Sequence, residues 1–164
     1  GVRGTWQQNA PLSINNNMTD YKAKVTRVLD GDTFDCTLDL GFDIYLKQIC
    51  RMTGMDTPEA RTRDKEEKYR GLLSKAYLKD LLKTAKNNVI LRCDDDDETG
   101  KFGRVLADVI YIKEDGSELN LNKEMIDKGY AVEYKGQSKD DIKDQHLANK
   151  QKLIDSGIYK YQTN

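Results

Sequence analysis

Proline, histidine and cysteine are scarce in this sequence, and it holds no long apolar run. Two prolines in 164 residues, Pro11 and Pro58, leave no Pro-rich linker, and no internal repeat divides the chain. One histidine and three cysteines, without a C-x-x-C pair, argue against a zinc site. No stretch approaches the ~18 apolar residues of a membrane helix, and the opening GVRGTWQQNAPLSINNN lacks a signal-peptide hydrophobic region, so a cytoplasmic location is expected. Neither sign of charge is in excess. Lys and Arg number 27 against 28 Asp and Glu, a net charge of −1 with a pI near 5.9. Bulk attraction to nucleic acid or anionic lipid is thereby excluded, and any polyanion site must be local.

What is present is enough for one core: 37% hydrophobic residues, with a heavily solvated surface implied by 34% charged residues. The patterned sequence begins near Met18. The expected division is a polar, Asn/Gln-rich arm or leader at 1–18, a domain at 19–160 and a short tail at 161–164. Cys36, Cys50 and Cys93 lie in apolar, strand-like stretches and are expected to be buried, reduced thiols.

Two-residue alternation in YKAKVTRVL and TFDCTLDL, on either side of Asp30-Gly31-Asp32, predicts two strands around a tight turn, and IYLKQICRM predicts a third after GFD. Between Asp64 and Lys86 the spacing of Tyr69, Leu72, Leu73, Ala76, Tyr77, Leu81, Leu82 and Ala85 predicts a long helix. NVILRC and RVLADVIYI read as two more strands, LNKEMIDKG as a short helix closed by Gly129, and DDIKDQHLANKQKLID as a last helix stopped by Gly157. The fold class expected from this order is α+β, a five-stranded OB-type β-barrel with three helices.

Asp32 follows the first turn, and Asp56 and Glu59 follow the third strand, in loops that a barrel can bring together. Converging carboxylates repel unless a cation joins them, and acid oxygens with a backbone carbonyl suit Ca²⁺ or Mg²⁺. A plainer reading stands beside this one: Asp-Gly-Asp is an ordinary turn, and DTPE fits a helix N-cap with proline in the first turn. Arg51, near a strand end, and Arg104, directly after Gly103, also have plain readings as an internal ion pair and a solvated strand start. Taken together, two guanidiniums and three carboxylates supply what phosphodiester hydrolysis requires: a bound cation, donors for charge developing on phosphate, and a group that handles water.

In this order and spacing, VLDGDTF, CRMTGMDTPEAR and TGKFGRVLADVIY resemble the staphylococcal nuclease (thermonuclease) family over residues 20–160. The resemblance implies calcium-dependent hydrolysis of DNA and RNA to 3′-phosphates, with Mg²⁺ the alternative ion. By position it implies Asp32, Asp56 and the Thr57 carbonyl as metal ligands, Glu59 acting on the attacking water, and Arg51 and Arg104 gripping the scissile phosphate. Lys101 and Phe102 match positions near a terminal phosphate, with Phe102 where the family often has tyrosine, and Tyr134 matches a base-stacking tyrosine. A monomer acting on accessible single strands is expected, with no membrane partner. The competing function is a silent nucleic-acid or protein binding module, which would be expected to have lost one of the acids or arginines. The DDDDE run at 94–98 reads as a solvated acidic loop, because Leu106 stands where an EF-hand from Asp95 needs an acid. His146, placed on an apparent surface helix, is given no role.

Overall fold

A computed structural model describes residues 17–95 and 103–162. Lys101, Phe102 and most of the DDDDE run lie outside the described residues. Strand β1 (Met18–Asp30) pairs antiparallel with β2 (Thr33–Asp39), which pairs with β3 (Tyr45–Met52). On its other edge β1 pairs with β5 (Asn88–Asp94), and β5 with β6 (Val105–Ile112). Parallel pairing of β3 with β6 closes these five strands into a barrel. Three short strands add to the five expected ones: β7 (Glu118–Asn120) on β6, and β4 (Met55–Asp56) paired with β8 (Val132–Glu133).

One strand can serve both sides of the barrel because β1 carries two bulges, where Thr26 and Leu29 have no partner in the ladder to β2. An extra residue bends a strand and raises its twist. From Asp20 to Val25, ahead of the first bulge, the alternation is strict, with Ala23 and Val25 turned inward. The interior holds Phe34, Met52, Met55, Leu91 and Val109, all essentially inaccessible. Cys36, Cys50 and Cys93 are buried there too, as expected, and desolvation raises the Cys36 thiol to about 11.

Helix α1 (Lys65–Thr84) lies against the barrel, and α2 (Leu121–Asp127) and α3 (Lys139–Asp155) follow the fifth barrel strand. The N-cap of α1 is Asp64, whose carboxylate accepts from the amides of Glu66 and Glu67, each at 3.1 Å. Asp56 is therefore not a helix cap. Asp56 ends β4 and residues 57–59 follow as irregular chain, so the carboxylates of DTPE are left for other partners. Buried Leu78 and Leu82 seat α1 on the core, while buried Arg70 is held by Glu66 one turn earlier through bonds of 2.8 and 2.9 Å.

Candidate functional site

Two glycines press the acidic turns against α1. A Cβ on Gly31 would stand 2.8 Å from Ser74 Cβ and 3.0 Å from Thr57 Cγ2, and one on Gly71 would stand 2.7 Å from the Glu59 backbone. Only glycine permits approaches this close. The Asp32 turn and the Glu59 turn are thus clamped side by side on one helix. The amide of Met52 donates to the Asp32 carbonyl at 2.8 Å and ties the turn to β3, while the ladder sets Thr33 opposite Arg51.

The β4–β8 pair sets Asp56 opposite Val132. Arg51 lies between the two aspartates: its Nη2 is 3.4 Å from Asp32 Oδ2 and 3.7 Å from Asp56 Oδ1, while Nη1 donates to the Met52 carbonyl at 2.8 Å. The internal ion pair left open by the sequence is therefore present, but both contacts are longer than charge-assisted hydrogen bonds. Asp32 is only 9% exposed and accepts the Thr33 hydroxyl at 2.8 Å. Thr57 is buried beside it.

Arg104 precedes Val105, which stands opposite Cys50 in the parallel ladder, so the two arginines reach the same end of the barrel. Its Nε is buried without a hydrogen-bond partner among the described residues. Unmet buried donors are costly, and an anionic oxygen is what a guanidinium N–H would take there. Glu59 lies in the opposite field. Partial desolvation and repulsion from Asp32, Asp56, Asp30 and Glu67 raise its carboxyl above the ordinary value.

Asp32, Asp56 and the Thr57 carbonyl are all oxygen donors, the type that Ca²⁺ or Mg²⁺ takes. Among the described residues no three His, Cys, Asp or Glu side chains gather into a metal cluster. Two carboxylates and a carbonyl would leave further positions for water and substrate oxygens.

Tyr134 stands 47% exposed beside the β4–β8 pair, its amide donating to the Gly54 carbonyl at 2.9 Å. His146 is the residue that the sequence reading missed. It is buried, 9% exposed, with Nε2 2.9 Å from Asp56 Oδ2. Asn149 donates to the Ala131 carbonyl at 2.9 Å and holds α3 next to β8. Gln137 adds bonds to Glu133 O and Gln145 Oε1 at 2.7 and 2.8 Å. The available signal was that His146 lies seven residues, two helical turns, before apolar Leu153, which is also buried.

A closed barrel with arginines and acids gathered at the end of its parallel seam defines an OB-type α+β protein with a charged cleft. The family model described as staphylococcal nuclease homologue matches residues 49–154, and the chain belongs to that family. An uncharacterized protein of Methanocaldococcus jannaschii, MJ1439, is 28% identical over 145 residues, covering 79% of this chain and 67% of the relative. No described helix is long and apolar enough to cross a membrane.

Proposed function

We propose that this protein is a calcium-dependent nuclease hydrolysing phosphodiester bonds of DNA and RNA, leaving 3′-phosphates. The observation that carries the reading is the unmet charge in one cleft. Arg51 holds its acids loosely, Arg104 has a buried donor to spare, and the Glu59 carboxyl is raised by partial desolvation and by its acidic neighbours. A domain that only held its own charges together would satisfy them.

In this reading Asp32, Asp56 and the Thr57 carbonyl would hold the cation, which when bound would supply charge neutralisation and acidification of water. Glu59, in its ionised form, accepts a proton from or orients the attacking water. The Arg51 and Arg104 guanidiniums donate to the nonbridging oxygens, whose charge grows as the 5′ oxygen leaves in line. Tyr134 offers a face for a base, worth about 1–3 kcal/mol, and this favours accessible single strands. Lys101 and Phe102 are proposed to approach a terminal phosphate. The protein is taken to act as a monomer, and its three buried thiols accord with a reducing, cytoplasmic setting.

Incubation of purified protein with single-stranded DNA, duplex DNA and RNA, in Ca²⁺, Mg²⁺ or chelator, tests this reading. The expected result is cleavage with Ca²⁺, none with chelator, and 3′-phosphate ends. Undiminished cleavage in chelator would reject the metal assignment. No cleavage under any condition, with nucleic acid still bound, would favour the binding module.

A further inference from the structure

A second concentration of unmet charge lies outside the cleft. Between β1 and α1 runs a groove of about 610 Å³ lined by Arg27, Lys75, Lys79, Lys83 and small or uncharged neighbours. Among the described residues no carboxylate lines it. In a chain with slightly more acids than bases, four cations on one groove are a local departure from the average. The three lysines recur every four residues along one face of α1 and span ~12 Å at helical rise. Arg27 faces them because the bulge at Thr26 interrupts the alternation of β1 and leaves Thr26 and Arg27 exposed in succession. None of the four makes an ion pair among the described residues, although Asp35 stands opposite Arg27 in the ladder.

The groove abuts the cleft. Lys75 follows Ser74, the residue against which Gly31 is pressed, and Gly31 adjoins Asp32. From that point α1 runs away from the acids toward Lys83, and β1 runs back toward Arg27. A wider groove of about 680 Å³, lined by Ala23, Val89, Tyr45 and Tyr111, includes none of the cleft residues.

We infer that the Arg27–Lys75–Lys79–Lys83 groove is a binding site for the phosphate backbone of a nucleic-acid strand whose scissile bond lies in the cleft, and that it holds the strand several phosphates away from the cut. The inference rests on the nuclease reading for its occupant and on charge and continuity for its location. A strand places a phosphate every ~3.4 Å along a helical path, so ~12 Å of lysines corresponds to about three or four of them. The groove reads no sequence, because it offers point charges and no fork aimed at base edges. Its contribution is affinity that grows with strand length and weakens with salt.

The test compares wild type with the combined Lys75→Gln, Lys79→Gln and Lys83→Gln variant, since glutamine retains helix propensity at these positions. A labelled single strand long enough to cover cleft and groove is titrated in chelator by fluorescence anisotropy over a range of salt, and a dinucleotide is cleaved in Ca²⁺. The variant is expected to bind the long strand about tenfold more weakly, with a log–log salt slope shallower by about two, at ~0.7 per lost contact. Its kcat/KM on the dinucleotide should be unchanged. Unaltered affinity and slope would overturn the groove, as would a loss equally large on the dinucleotide. If wild type cleaves neither substrate the nuclease reading fails, and the anisotropy titration still decides whether the groove holds a polyanion.

Discussion

Arg70 and Arg51 are both shielded guanidiniums beside carboxylates, and the structure treats them in opposite ways. Arg70 meets Glu66 through two bonds of 2.8 and 2.9 Å; the same carboxylate accepts the Tyr159 hydroxyl at 2.8 Å and lies 3.5 Å from Lys150 Nζ. Burial opposes ionisation of Glu66, but the bonds from Arg70 and Tyr159 outweigh it and hold the carboxyl below its ordinary value. That cluster fastens α1, α3 and the residues after α3 to one another. Arg51 has two acids at 3.4 and 3.7 Å and saturates neither, while Glu59 nearby is pushed up. Charge is satisfied at the joint and left unsatisfied around Arg51 and Glu59, the cluster proposed to bind.

Substitutions at the two clusters should separate activity from stability. The largest effect is expected at Arg51 or Arg104: Arg51→Ala or Arg104→Ala should lower kcat/KM on single-stranded DNA by about 10³-fold, the scale of losing a donor to developing charge. Urea denaturation of the same variants should show little loss of stability, since neither guanidinium is fully bonded in the cleft.

Next in size is Glu66→Gln, which leaves buried Arg70 without its anion and should cost about 3 kcal/mol, or about 8 °C in Tm, with cleavage by the folded protein nearly unchanged. The sign with pH follows from the lowered carboxyl. Its contribution is complete above the ordinary value of 4.5 and is lost as pH falls through the lower folded value, so wild type and variant should converge in acid.

A smaller effect is expected behind Asp56. His146→Leu removes the donor to Oδ2 and should raise the Ca²⁺ concentration for half-maximal activity about tenfold, with Glu, Asp and Arg side chains of the cleft intact. His146→Gln, which keeps a donor, should recover part of it. Equal half-saturation in all three proteins, measured by Ca²⁺ titration of cleavage, would show that His146 only fills space.

Much of this was legible in the sequence, for identifiable reasons. Strands β2 and β5 alternate cleanly and α1 carries a helical period, so periodicity found them, although the expected face of α1 included Leu72 and Ala76, which are exposed, and left out Leu78, which is buried. The short strands β4 and β8 were not visible, because two residues carry no period and their pairing joins positions far apart in sequence. The cleft residues stood out as an improbable set of charges at strand ends. His146 did not, because its partner is ninety residues away and its helix is polar over most of its surface. The cationic groove was hidden for a similar reason: the lysines of α1 look like a solvated face until Arg27 is seen across from them.

The central claim is that charge in the cleft is kept unsatisfied for chemistry, and Glu59→Gln tests it in a single preparation. Partial desolvation, with repulsion from Asp32 and Asp56, raises the Glu59 carboxyl in the folded state, so its ionised form opposes folding at neutral pH, and this opposition vanishes below the unfolded value. Because the group is well exposed, relief is small, about 1 °C in Tm in chelator. The cleavage rate of the same sample in Ca²⁺, measured beside wild type, is the decisive number. The expected result is a rate lower by about 10³-fold in a protein that is no less stable. A rate equal to wild type would contradict the account.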